Sequence, residues 1–227
     1  MRFRDRAEAG RQLAARLSHL RDAGPVVLAL PRGGVPVGFE VAKALSAPLD
    51  LLVVRKLGAP GMPELAAGAV VDGAAQGVVR NEEVIRHFGI TDAALEQEAA
   101  RQRLEIARRR AAYLRGRLPL ALTGRTAIVV DDGIATGATV RAALSALSGP
   151  AGARRVVLAA PVAAEAVAGE FRALCDEAVF LHTPRALRAV SAYYDDFDQT
   201  EDGEVVALLD RASAWMGASA ADRAGEE

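Results

Sequence analysis

The sequence predicts an α/β fold, a parallel sheet flanked by helices. Short apolar runs rich in β-branched residues recur at 26–30, 49–54, 128–130, 154–160 and 178–182, and runs of that length that are apolar throughout suit strands buried on both faces. Segments between them carry alanine, valine and leucine at helical spacing. Two of the runs stop abruptly at polar, glycine-bearing turns, Arg32-Gly33-Gly34 and Asp131 through Gly137, the form of strand-to-helix connections at the carboxyl edge of such a sheet.

Taken in order, residues 3–22 read as an amphipathic helix with Leu13, Leu17 and Leu20 on one face, ended by Gly24-Pro25. The first strand, 26–30, runs through its glycine turn into a helix at 35–45 and a second strand at 49–54. This β-loop-α-β order calls for a right-handed crossover, which brings the loops to one edge. Residues 55–64 begin with Arg55-Lys56 and hold four glycines or prolines among ten, which predicts a mobile loop. A hairpin at 68–71 and 77–79, a short helix at 81–87 and a long helix at 91–117 follow.

The long helix shows an apolar stripe of Ala100, Leu104, Ala107, Ala111, Leu114 and Leu118. Its arginines are offset by glutamates three or four residues away, as at Glu98/Arg101 and Glu105/Arg109, so they read as a solvated face rather than a nucleic-acid surface. Part of this helix is available for a homodimer contact. Strands at 154–160 and 178–182 enclose a helix ending near 174, and a C-terminal helix is expected at 201–213 with a frayed tail from 217. His182, at the carboxyl end of the last strand, lies nearer the site edge than His19 or His87, and three scattered histidines make no metal site.

The chemistry concentrates at 127–139, A-I-V-V-D-D-G-I-A-T-G-A-T. A strand end, a small-residue loop and a helix N-terminus present unpaired backbone N–H groups and positive dipole at one point, which suits a phosphate. Thr136 and Thr139 add hydroxyl donors and Gly137 lets the backbone close on the anion. Asp131 and Asp132 cannot serve that phosphate, because like charges repel, and so require hydroxyls or a metal ion. A phosphate at one end and a diol nearby describe a ribose 5-phosphate.

This segment resembles the phosphoribosyl pyrophosphate (PRPP) binding motif of type I phosphoribosyltransferases. The resemblance implies a type I phosphoribosyltransferase-like parallel sheet with a small hood and a long helical insertion. It also implies that Asp131 and Asp132 hold the ribose hydroxyls, partly with Mg²⁺ as cofactor, while Ala135, Thr136, Gly137, Ala138 and Thr139 wrap the 5-phosphate. Arg32-Gly33-Gly34 resembles the family's pyrophosphate loop, and Arg55-Lys56 its lid over pyrophosphate. Relatives often carry a strained peptide in the first of these loops. An acid that purine-salvage members carry, assisting proton removal from the base, is replaced here by Ala135, so no general base is expected in the loop.

Residues 189–199, A-V-S-A-Y-Y-D-D-F-D-Q, concentrate aromatics in a chain that is only 4% aromatic. They loosely resemble the family's base-covering segment, which makes Tyr193, Tyr194 and Asp196 candidates to stack and edge-bond a nucleobase. The resemblance divides the chain into one domain over 1–216 and a flexible tail at 217–227. Within that domain it implies a core at 24–182, a helical insertion at 81–118, and a hood made by the N-terminal helix with 183–213. It implies transfer of a 5-phosphoribosyl group from PRPP to a small nitrogenous acceptor. A PRPP-binding regulator without turnover is the alternative, and Arg55 and Lys56 favour the enzyme, since a sensor needs no cations on a leaving group.

Bulk properties agree. A 227-residue chain with 51% hydrophobic residues can bury one full core. A net charge of −1 forces no polyanion surface, and a single cysteine, Cys175, leaves no internal disulfide, as in a reducing compartment. No window approaches the ~20 apolar residues of a membrane span, so a cytoplasmic location with no membrane partner is expected.

Overall fold

The computed structural model describes residues 2–73, 76–148 and 152–224. Its strands are β1 (Pro25–Ala29), β2 (Leu49–Leu51), β3 (Val53–Ala59), β4 (Met62–Asp72), β5 (Gly77–Arg80), β6 (Thr126–Val130), β7 (Arg155–Val162) and β8 (Glu177–His182). The helices are α1 (Arg6–Arg16), α2 (Gly34–Leu45), α3 (Glu82–Phe88), α4 (Asp92–Leu114), α5 (Ala138–Leu147), α6 (Glu165–Leu174) and α7 (Asp202–Ala224).

β1, β2, β6, β7 and β8 pair in parallel in the order β2-β1-β6-β7-β8. Every residue of β1 and β6 is buried, which is why those strands read as unbroken apolar runs. One face packs Val27, Ile128, Val130, Val157 and Ala159 against α1 and α2, and the other packs Val26, Leu28, Val129 and Leu158 against α5 and α6.

The run read as one strand at 49–54 divides between two sheets. β2 ends the parallel sheet, and β3 starts a second, antiparallel sheet of order β3-β4-β5. The segment expected as a mobile loop is therefore a hairpin: β3 pairs with β4 through Ala59↔Met62 across a two-residue turn, Pro60-Gly61. Proline presets the first turn residue and Gly61 takes φ +74°, so the breakers that suggested a loop make the turn instead. Strand alternation then splits the sheet's two faces. Val53, Leu57 and Ala59 pack toward α4, while Val54, Ala69, Val71 and Val79 pack with the core cluster that includes α5.

Two further expectations are corrected. α4 buries Leu95, Ala99, Gln102, Ile106, Tyr113 and Leu114; Leu104 and Leu118, placed in the predicted stripe, are 75% and 85% exposed. Alanines lie on several faces of this helix, so periodicity alone did not separate them. α1 faces two ways: Leu13, Ala14 and the following Leu17 and Leu20 cover the central sheet, while Ala9 packs with Phe3 and Tyr194. α7 continues through Ala224, past the expected tail start at 217, consistent with the high helix propensity of its alanines. The last residues of that tail, 225–227, lie outside the described residues. No helix among the described residues is long and apolar enough to cross a membrane.

Candidate active site

The strand order reverses between β1 and β6: the chain leaves β1 toward β2 on one side and later adds β6 on the other. Crevices at such a switch point, outside the strands' carboxyl ends, are where open α/β sheets bind ligands. The loops after β1 and β6 are the two turns singled out in the sequence. Leu30 N–H donates to the Val130 carbonyl at 2.9 Å, joining them where the strands end. The Pro31–Arg32 peptide is cis.

The contact is tight enough to dictate glycine. A Cβ on Gly33 would lie 2.0 Å from Asp132 Oδ2, and one on Gly34 would lie 2.7 Å from the Val130 carbonyl oxygen. Both glycines thus let the Arg32 loop lie flush against the acid pair.

Asp131 and Asp132 follow β6 directly. Asp131 Oδ1 accepts the Asp132 N–H at 2.9 Å. Asp132 Oδ2 accepts from Arg6 Nε at 2.8 Å, with both side chains largely buried. Arg6 is braced by its own contacts, 2.7 Å to the Asp198 carbonyl and 3.9 Å to the centre of the Phe197 ring. Burial raises the pKa of both carboxyls, Asp131 well above the usual range with Asp132 beside it adding to the rise, whereas Arg6 pulls Asp132 back down. Two carboxylates held this way favour a ligand that supplies hydroxyl protons or positive charge.

The following loop is pinned from beneath and open above. Ile134 is stitched to β7 by its N–H to the Val162 carbonyl at 2.8 Å and by its own carbonyl to Ala164 N–H at 3.0 Å. Gly137 caps α5 at φ +72°, where a Cβ would meet the Phe171 ring at 2.6 Å. Ile134, Gly137 and Val140 are buried, and Ala135, Thr136, Ala138 and Thr139 are exposed around the helix N-terminus. An open helix N-terminus flanked by exposed small residues is a geometry that can receive an anion.

The remaining candidates separate. Lys56 lines a cavity of about 460 Å³ with Ala138 and Thr139. Arg55, one residue earlier, projects from the opposite face of β3 and donates to Gln102 Oε1 on α4 at 3.2 Å. The expectation that both cations share one lid is therefore corrected by strand alternation. Tyr194 is also corrected as a stacking platform. It is 1% exposed, packs 5.4 Å from Phe3, and donates its hydroxyl to the Asp132 carbonyl at 2.6 Å. Tyr193 is half-buried, 6.3 Å from His182, and Asp196 is exposed.

Sequence reading missed Arg6, which no local pattern marks because it lies 126 residues from Asp132. It also missed Asp202, whose Oδ1 sits 3.3 Å from Arg32 and 2.7 Å from the Tyr113 hydroxyl.

Fold and site together define a class: an α/β protein with an acid pair and an open helix N-terminus at the switch point, faced by a glycine-arginine loop. A profile of the phosphoribosyl transferase domain matches residues 4–180, and the chain belongs to that family. It is 50% identical over 210 residues, 92% of its length, to two Mycobacterium tuberculosis proteins, from strains H37Rv and CDC 1551, each named "Putative phosphoribosyl transferase". The chain spans 47% of the length of those relatives. The crystal structure of TT1426 from Thermus thermophilus is similar at 46% identity and a TM-score of 0.79, over 92% of this chain and 98% of that one.

Proposed function

We propose that the protein transfers the 5-phosphoribosyl group of PRPP to a small nitrogenous base and releases pyrophosphate. The observation that carries this reading is the acid pair of Asp131 and Asp132, set between an open helix-N-terminal cradle and the Arg32-Gly33-Gly34 loop. In this reading the exposed backbone of 135–139 holds the 5-phosphate, and the two carboxylates accept hydrogen bonds from the ribose 2- and 3-hydroxyls. Arg32 and Lys56 receive the pyrophosphate.

The bond at ribose C1 breaks with oxocarbenium character, as in glycoside chemistry. The residues therefore act by holding both ends of the donor in line and by placing positive charge where the leaving group gains negative charge. The donor atoms fit Mg²⁺. No group of three or more acidic, histidine or cysteine ligands occurs among the described residues, but Mg²⁺ commonly takes one or two carboxylates and completes its shell with water and substrate phosphate. Asp131 and Asp132 would hold it, and when bound it would offset charge on pyrophosphate.

The test is a panel of purine, pyrimidine and other nitrogen heterocycles incubated with PRPP and Mg²⁺, reading out pyrophosphate. The proposal expects release that depends on one acceptor class and disappears in Asp131→Asn/Asp132→Asn. Release that is equal without any base, or unchanged in the double variant, contradicts it.

A further inference from the structure

Arg32 does not stand alone at its corner. It lines a cavity of about 170 Å³ with Arg108, Arg109, Ala112, Tyr113 and Asp202. The two α4 arginines share a single carboxylate, Glu105, at 2.9 and 3.0 Å. The cluster therefore sets three guanidiniums against two carboxylates. Asp202, in the first turn of α7, is the carboxylate on the Arg32 side, taking Arg32 at 3.3 Å and the hydroxyl of the buried Tyr113 at 2.7 Å.

We infer that this cavity is an anion pocket for the far phosphate of pyrophosphate, and that Asp202 is a built-in anion occupying Arg32 until pyrophosphate displaces it. This inference rests on the assignment of Arg32 to pyrophosphate made above. Its geometry suits exchange. The Asp202 side chain is 64% exposed and that of Arg32 31%, and a monoanion in so open a pair is weakly held. A multiply charged phosphate offers more acceptor oxygens to the same donors, and arginine forks match phosphate in two parallel bonds. Tyr113, fixed by burial, keeps its hydroxyl aimed at the position that Asp202 vacates. Arg108 and Arg109, outwardly members of a solvated helix face, become positioning residues for the leaving group. Asp202 becomes the group that limits how long pyrophosphate stays.

The test is calorimetric titration of inorganic pyrophosphate, with Mg²⁺ present, into the intact protein and its variants, each checked by thermal melting. Asp202→Asn, and Asp202→Ser as a second replacement that still suits a helix start, are expected to bind pyrophosphate about tenfold more tightly, the scale of one charge-assisted hydrogen bond. Arg108→Gln/Arg109→Gln is expected to bind it about tenfold more weakly. Unchanged or weaker binding in both Asp202 variants, or unchanged binding in the α4 double variant, overturns the inference. If Arg32→Gln alone weakens pyrophosphate while the other variants do nothing, the Arg32 assignment stands without the pocket; if Arg32→Gln is also silent, that assignment falls first.

Discussion

Asp132 is held from several sides, gripped by Arg6 at 2.8 Å and bordered by Gly33, with Tyr194 bonded to its carbonyl. Arg6 is the largest influence lowering its pKa against the rise imposed by burial. Arg6→Gln is therefore expected to move the acid limb of PRPP binding to higher pH and to weaken binding at neutral pH by about tenfold, measured by titration across pH. Gly33→Ala is expected to weaken PRPP binding while leaving a folded protein, since its Cβ meets a side chain rather than backbone. The buried acids also carry a stability cost. With its folded-state pKa raised, Asp131 contributes stability at low pH that is lost as pH climbs through that pKa, because the unfolded chain gives up the proton first. Asp131→Asn is expected to gain about 1 kcal/mol near neutral pH, ~2–4 °C in Tm. The gain should vanish in acid; a gain that grows as pH falls contradicts it.

At the scale of elements, β3 explains both a success and a failure of sequence reading. Arg55 and Lys56 stand out as neighbouring cations, but only a strand assignment reveals that they face opposite ways, one to α4 and one to the cradle. Lys56→Ala should slow pyrophosphate formation by about tenfold or more; Arg55→Ala should leave the rate near that of the parent and loosen α4. Equal rate losses in both variants would show that alternation does not govern their roles. The hairpin turn makes a separate prediction. Gly61→Val places a β-branched residue at φ +74°, costing about 1 kcal/mol or more and raising amide exchange in β3 and β4. The strands of the parallel sheet and the 131–139 loop were legible because their apolar runs are short, uninterrupted and ended by charged or glycine-bearing turns. The existence of α4 was legible too, but not its buried face, since Leu104 and Ile106 are equally apolar in sequence and only packing decides that Ile106 is buried.

For the molecule as a whole, Asp50 fastens the edge of the parallel sheet. This carboxylate is 3% exposed, with its pKa raised by burial, and accepts the N–H groups of Leu51 at 2.7 Å and Leu120 at 2.9 Å. It ties β2 to the segment leading into β6, the strand that carries the acid pair. Asp50→Ala leaves both amides without that partner and is expected to cost about 1–3 kcal/mol in denaturant unfolding. No run of residues announces this tie, just as none announces that residues 6 and 132 touch: long-range polar contacts follow from topology, and the sequence shows only their isolated ends. The switch point between β1 and β6 brings the cradle, the acids and the arginine loop to one crevice, and the proposed function depends on one ligand filling it. A crystal structure with PRPP bound tests this most directly. The 5-phosphate is expected on the backbone of 135–139, with the 2- and 3-hydroxyls donating to Asp131 and Asp132; PRPP seated elsewhere, or a ribose that leaves the Arg6–Asp132 pair untouched and bonds to neither acid, contradicts it.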